Sequence, residues 1–324
     1  MWQQGIPNGD WDAKLFKQDG PFLQSSHWAA FQAALGHKTF YRSAADWQCL
    51  VITEVTRTGR RLYAPYGPIA TNNRALSQSL AEIKNLAQSG RALFARLEPR
   101  VQGAINLPSL GLKPALKDIQ QRQTWVLDIT KPQDELLAEM TPTNRNLWRN
   151  YVTKGLSIRA SANPKEMKIF IDMMAEVAHH NKIIQHSDRY YQTMADVLLP
   201  RGAAKLYVAS HDGQPVASAF CFDSPTTRYY AHAASLFAAR KLHPGTPLLA
   251  QMIFDAKDGG QKEFDFCGVA PQDAPSDHPW LGFTKFKQSF GGHYKQYHGT
   301  WELPTSPLFH LYRAAYKAAK QLKP

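Results

Sequence analysis

The sequence predicts an α/β (α+β) chain built as two related domains, each a mixed sheet flanked by helices. Strand-like and helix-like stretches alternate along its 324 residues, as in a sheet covered by helices. The order helix, strands, helix, strand occurs once in each half, although no sequence repeat is visible. The length also suits two domains of ordinary size. The first domain is expected over residues 1–141, with a C-terminal helix at 302–324 packing back on it, and the second over 142–301.

The elements follow in order. Ser26 followed by HWAAFQAALG (His27–Gly36) reads as a capped short helix ended by glycine. Strand-like runs come next at Thr39–Arg42 and Gln48–Thr56, and a turn at Gly59 leads into RLYAPYGPIA (Arg61–Ala70). A helix over Leu76–Ser89 stops at Gly90, ALFARLEP (Ala92–Pro99) reads as a buried strand, and TWVLDIT (Thr124–Thr130) is another. The second series opens with a helix from about Pro142 to Lys154, halted by Gly155, and continues with the strand LSIRAS. A long helix over Pro164–Lys182 carries Phe170, Met173, Met174 and Val177 at helical spacing. AKLYVAS, PVASAFCFD and TRYYAHAAS then read as three strands in hairpin order around the turn His211-Asp212-Gly213. A helix over Pro247–Lys257 ends at Gly259-Gly260, and EFDFCGV (Glu263–Val269) is the next strand.

Apolar residues make up 44% and charged residues 20% of the chain, an ordinary globular composition that argues against disorder. The net charge of +12 serves either solubility or a polyanionic partner such as RNA, a pyrophosphate or an anionic membrane face. Cys49, Cys221 and Cys267 are scattered, so neither a disulfide frame nor a zinc site is supported. The opening MWQQGIPNGDWDAKLF contains acids and no apolar run, so it does not read as a signal peptide. No eighteen apolar residues run together, which argues against a membrane span. The expected location is the cytoplasm.

Several stretches could carry chemistry. Thr141–Ala160 contains Arg145, Arg149, Lys154 and Arg159 and no acid. Arg145 and Arg149 share a helix face, which suits a phosphate-bearing partner or a solvated face with Trp148 and Tyr151 turned inward. The last helix places Leu308, Leu311, Tyr312, Ala315, Ala319 and Leu322 on one stripe, with Arg313, Lys317, Lys320 and Lys323 largely off it. That pattern fits either docking on the protein body or an interfacial membrane helix. No GxSxG, GxxxxGK[ST] or GxGxxG occurs. LFAARKLHPGTPLL offers Arg240, Lys241 and Gly245 to an anion, but Pro244 and Pro247 each remove an N–H donor, which weakens an acyl-CoA cradle. Finally, FKQSFGG (Phe286–Gly292) sets one cation between phenylalanines ahead of a glycine pair.

In this order the chain resembles the Fem aminoacyltransferases of peptidoglycan-bridge formation. The matching segments are HWAAFQAALGHK, LYAPYGPIA, RLEP, NRNLWRNYVTKGLSI, YVASHDGQPVASAF, RYYAHAAS, the helix from Pro247, FDFCGV and FKQSFGG, covering residues 25 to about 300. The resemblance implies two tandem GNAT-like domains of the armless type. It also implies an aminoacyltransferase of cell-wall biosynthesis that moves an amino acid from aminoacyl-tRNA to the stem-peptide amine of a peptidoglycan precursor, lipid II or UDP-muramyl-pentapeptide. No metal or redox cofactor is needed, because aminoacyl-tRNA is the co-substrate. The implied protein is a monomer with peripheral contact at the inner membrane face. Two alternatives stay open: another tRNA- or acyl-CoA-dependent N-acyltransferase, and a non-catalytic binder of anionic cell-wall precursors at the membrane.

The resemblance also assigns residues. Lys287 falls on the family's lysine at the aminoacyl end of tRNA, where a cation would stabilise the oxyanion of the tetrahedral intermediate or a terminal-adenosine phosphate, with Phe286 and Phe290 shielding it. Arg145, Arg149 and Lys154 would face tRNA. Gln32, Lys38, Tyr66, His186, Tyr190 and Tyr230 are expected to line the acceptor pocket. Two departures stand out: Gln32 and His186 occupy positions where members binding the soluble precursor have a lysine and an arginine. Lys38 or Arg189 would then supply the lost charge, or the acceptor is lipid-linked.

Overall fold

A computed structural model describes residues 1–101, 103–182 and 184–321, the side chains of 319–321 excepted. The chain divides into two compact units, Met1–Arg122 with the segment from Tyr297 onward, and Gln123–Gln296. The first division falls about twenty residues before the expected 141/142 boundary. The strand Gln123–Asp128 is the cause, because it pairs on one side with Glu263–Gly268 and on the other with His293–Gln296. Once it joins that sheet, the following helix Gln133–Glu139 buries Leu136 in the same core.

The first unit holds a mixed sheet. Its main path runs Gln3–Gln4, Lys38–Ser43, Trp47–Thr56, Gly59–Ala64, Phe94–Leu97, Trp301–Pro304, Lys113–Pro114. All pairs on this path are antiparallel except Gly59–Ala64 with Phe94–Leu97. A parallel pair needs a long crossover, here the helix Asn73–Ser89. Asn72 caps that helix by accepting from the Ala75 amide, and Leu76, Leu80 and Ile83 recur at helical spacing to face the sheet. The expected terminal helix starts only at Leu308, since Trp301–Pro304 is an edge-side strand paired with Phe94–Leu97. Its packed residues are Phe309 and Tyr312 against Phe94, whereas Leu308 and Leu311 of the expected packing stripe are exposed. Leu322 and Lys323 lie outside the described residues.

The second unit carries a seven-stranded sheet in the order Leu156–Ser161, Ala204–His211, Gln214–Asp223, Thr227–Ser235, Glu263–Gly268, Gln123–Asp128, His293–Gln296. Val216 to Phe222 are buried without alternation, as expected of a central strand covered on both faces. The expected helix over Pro142–Lys154 resolves into Pro142–Asn150 and a short 3-10 turn, Val152–Lys154, ended by Gly155 at φ 72°. The one parallel pair, Thr227–Ser235 with Glu263–Gly268, is registered over only three positions, from Thr227 with Glu263 to Tyr229 with Asp265. Past that point the two strands no longer pair.

The helix Gly245–Asp258 lies on this sheet and fills the core with Leu248, Leu249, Met252 and Ile253, each worth about 1.5–3 kcal/mol on burial. Arg228 ties helix to sheet. Its guanidinium is 2% exposed, grips Asp223 through Nε at 2.7 Å and Nη2 at 2.8 Å, and donates from Nη1 to the Tyr207 hydroxyl and the Met252 carbonyl. Arg228→Met should leave Asp223 without its partner and lower the unfolding free energy by about 3–5 kcal/mol in urea denaturation. A loss below about 1 kcal/mol would show that the pair is no anchor.

Candidate functional site

In the second unit the site is built on an irregular strand end. Opposite Gln123–Asp128, the register of Glu263–Gly268 shifts between Asp265 and Gly268. Within this bulge Cys267 adopts φ 60°, a left-handed conformation that non-glycine residues seldom take. Asp265 holds the bulge: its Oδ1 accepts the Cys267 amide at 2.7 Å, and its Oδ2 accepts the Thr124 hydroxyl at 3.4 Å. The carbonyl of Gly268 then accepts a hydrogen bond of 2.6 Å from Lys287 Nζ.

Lys287 comes from the helix Leu281–Gln288 and is 8% exposed. The Phe283 ring lies 5.0 Å from its Nζ, a cation over an aromatic face. Burial pushes the ammonium below the ordinary lysine range, while Cys267 and Asp265 oppose that shift. The carboxyl of Asp265 is pushed up to about 6, by burial first and Glu263 next, with the Cys267 amide holding it back. The charges of Asp265 and Lys287 favour each other's ionised form, against the burial of both.

The spacing of FKQSFGG now has a structural reason. Phe290 is fully buried and meets Phe286 edge-on at 5.4 Å, which fixes the helix end to the core. Gly292, at φ 99°, passes so close to the neighbouring strand that a Cβ would sit 2.3 Å from the Val126 carbonyl oxygen. The pair of glycines lets the chain turn from the lysine helix straight into His293–Gln296.

Phe286 also lines a cavity of about 400 Å³ with Tyr230, Ala233, Ser235, Arg240 and Thr246. Arg240 borders a second cavity of about 440 Å³ with Glu176, His179, His180 and Phe237. Its guanidinium lies 4.2 Å from the Phe237 ring centroid. Burial, followed by Cys221 and Cys267, pushes the Tyr230 phenol up, so it is a neutral donor across physiological pH. His186 stacks on Tyr190 at 3.9 Å and meets Tyr191 and His232 edge-on. Tyr230 thus lines the cavity, while His186 and Tyr190 form an aromatic cluster around His232. Burial and then His186 hold the His232 imidazolium down to about 4, and burial also lowers His186.

The basic segment divides. Arg145 Nη1 donates to the carbonyls of Leu137, Ala138 and Met140, at 3.4, 2.9 and 2.6 Å. It therefore satisfies the open end of the helix Gln133–Glu139. Arg149 and Lys154 are exposed, while Trp148 stacks on Tyr151 and meets Phe254 at a tilt.

In the first unit, Gln32 is buried in the helix Ser26–Ala34 and Lys38 is exposed at the start of its strand. Tyr66 stands at φ 48° in the YAPYGP turn. Glu98, the acid of RLEP, holds that turn. Its carboxylate accepts the Tyr66 amide at 3.0 Å, the Gln120 amide at 2.8 Å, and the hydroxyls of Thr300 at 2.7 Å and Tyr63 at 3.2 Å. Burial pushes this carboxyl up, and the four donors push it back. Gln24 braces the other side, donating to the carbonyls of Leu50 and Pro65. The Tyr66 hydroxyl donates to the Gln121 carbonyl, and its ring lies 5.0 Å from Tyr297.

Sequence reasoning singled out neither Glu98 nor Asp265. Both sit against apolar strand residues, Glu98 after ALFARL and Asp265 between Phe264 and Phe266, and an acid so flanked is the signal that could have marked them. Among the described residues no group of His, Cys, Asp and Glu is placed to hold a metal ion, and no helix is long and apolar enough to cross a membrane.

Residues 143–281 match the family model described as Acetyltransferase (GNAT) domain. A lipid II:glycine glycyltransferase of Staphylococcus epidermidis is 27% identical over 242 residues, 67% of this chain and 57% of the relative. The chain thus spans little more than half the length of that relative. Among solved structures, the crystal structure of FemX superposes with TM-score 0.81 at 18% identity, over 95% of this chain and 99% of that one. A tandem GNAT protein from the clavulanic acid pathway gives TM-score 0.52 at 11% identity, over 95% and 99% respectively. The chain is a two-unit GNAT-fold protein, a relative in sequence of the lipid II:glycine glycyltransferases and alike in fold to FemX.

Proposed function

We propose that the protein transfers an aminoacyl group from aminoacyl-tRNA to the stem-peptide amine of a peptidoglycan precursor. The observation that carries this reading is Lys287: a buried ammonium, anchored to the Gly268 carbonyl beneath Phe283, next to a residue that lines a cavity. An ammonium has three N–H donors. One is spent on Gly268, which leaves two for an oxygen that gains charge. Attack of the acceptor amine on the aminoacyl ester forms a C–N bond and drives the carbonyl electrons onto oxygen. Lys287 would meet that oxyanion in a site of low dielectric, where a fixed cation acts most strongly. Collapse breaks the ester C–O bond, and the ribose hydroxyl leaves with the proton given up by the amine. Kinship to the named glycyltransferases supports the precursor as acceptor, and the charge of +12 supports RNA as donor. Such a reaction belongs in the cytoplasm, where charged tRNA is found.

An acyl-CoA donor is the second reading, favoured by the acetyltransferase-domain match and by Arg240 before the helix Gly245–Asp258. That helix start is poorly equipped for a pyrophosphate. Pro247 has no N–H, and the amide of Thr246 is already bonded to the His243 carbonyl.

Incubation with charged tRNAs and either lipid II or UDP-muramyl-pentapeptide should add one residue to the precursor, detected by mass spectrometry. Addition from an acyl-CoA, with none from any charged tRNA, would establish the second reading instead. Lys287→Met should lower kcat by about 10²–10³ with KM little changed, as for loss of one oxyanion donor. The active form is the ammonium and its pKa is depressed, so activity should fall with rising pH earlier than an ordinary lysine would allow. Asp265 raises that pKa, so Asp265→Asn should move the alkaline limb of the pH–rate profile to lower pH; an unmoved limb would remove Lys287 from the titration. Replacing Arg149 and Lys154 by Gln should flatten the salt dependence of tRNA binding by about two, one per lost phosphate contact.

A further inference from the structure

Two groups hold the Lys287 ammonium, and only one of them accepts a hydrogen bond from it. Nζ donates to the Gly268 carbonyl at 2.6 Å, and the centroid of the Phe283 ring lies 5.0 Å from the same atom. Phe283 and Lys287 stand i, i+4 on the helix Leu281–Gln288. Side chains on a helix lean toward its N-terminus, so a lysine runs back over the residue four positions before it. Lys285 on the same helix is exposed in the ordinary way, whereas Lys287 is turned inward beneath the ring.

The ring is itself fixed in place. Trp280 packs against Phe283 at 5.4 Å, and the Trp280 amide donates to His278 Nδ1 at 3.1 Å. Thr284 is 3% exposed; its hydroxyl donates to the Trp280 carbonyl at 2.7 Å and accepts the Ala270 amide at 2.9 Å. That hydroxyl ties the first turn of the helix to the chain just past Gly268, so ring and carbonyl stay on station around Nζ. Phe283 is 38% and Trp280 41% exposed. Partly exposed aromatics are common, so exposure alone gives this ring no role; its place over the ammonium does. A leucine at position 283 would cover the lysine stem as well as phenylalanine does. It would lack the negative ring face, whose attraction for a cation grows as water is excluded.

We propose that Phe283 is a positioning residue: its ring face holds the Lys287 ammonium, in its charged form, against the Gly268 carbonyl. Its bearing on catalysis rests on the role given to Lys287 above, but its hold on the ammonium does not. Besides burial, the groups that act on the Lys287 charge are Cys267 and Asp265 of the strand Glu263–Gly268, and neither changes in a variant at position 283. The sign follows directly. Burial lowers the lysine's pKa and the ring favours the ammonium, so loss of the ring lowers it further. Activity carried by the ammonium is then lost at lower pH.

Phe283→Leu should move the alkaline limb of the pH–rate profile about one pH unit lower. Phe283→Trp, which keeps an aromatic face, should leave the limb at or above its position in the parent. The ring's partial exposure lets both variants keep the fold, which circular dichroism checks. The same order should appear without any substrate, in a nuclear magnetic resonance titration of the Lys287 Nζ signal in the full chain with isotope-labelled lysine, assigned by its loss in Lys287→Met. Equal titrations of parent and Phe283→Leu would overturn the proposal. So would an equal downward move in the leucine and tryptophan variants, since the ring would then only pack. A titration that moves as expected, in a protein that adds no residue from any charged tRNA, would overturn the transfer reading and leave the hold of Phe283 on Lys287 standing.

Discussion

The hydrogen bond from the Cys267 amide to Asp265 is the contact on which the second unit's site depends. A regular strand would pair Gly268 with Gln123. The bulge shifts it onto Thr124, and Lys287 bonds its carbonyl at 2.6 Å. One carboxylate thus does two things. It stabilises a left-handed non-glycine residue, which would otherwise be strained, and it places negative charge near an ammonium that burial would drive toward neutrality. Removing the lysine's charge, the aspartate's charge or the bulge disturbs the other two.

The first unit uses the same device on a different turn. Glu98 is a buried carboxylate whose four donors come from positions 63, 66, 120 and 300. A charge taken out of water requires such a complement of donors, and meeting it draws three distant segments to one point. Tyr66 stands where it does because its amide is one of those donors and because Gln24 fills the space beneath Gly67. In both units the organising group is an acid buried among backbone amides and hydroxyls, while the aromatic and cationic residues that attract notice in the sequence are the groups being positioned.

The cations show why residue type alone misleads. Arg145, Arg149 and Lys154 look equivalent in a segment without acids. Arg145 is consumed by the carbonyl end of the preceding helix, a helix whose last residues Glu139 and Met140 carry no glycine cap. Arg313 is likewise spent on Glu302. Arg149 and Lys154 remain exposed, and Arg240 stays between two cavities. An arginine with five donors will satisfy nearby carbonyls first, and only the folded chain shows which carbonyls are near.

What the sequence by itself determined was the kind and order of many elements: Gly36, Gly90 and Gly155 where helices stop, and AKLYVAS, PVASAFCFD and TRYYAHAAS as three successive strands. These signals are local, since hydrophobic period and glycine conformation act within a few residues. It also carried the ordered segments by which the family resemblance was drawn. Only the tertiary structure decided that Gln123–Asp128 belongs with the second unit, that Asp265 and Glu98 are the buried acids around which each turn is built, and that the last helix leaves Leu308 and Leu311 in solvent. Each of those outcomes rests on partners remote in sequence, Thr300 for Glu98, Gly268 for Lys287 and Phe94 for Phe309. The pattern of a short segment limits which side chains can be buried, but the partner each one meets is set by how strands far apart in the chain come into register.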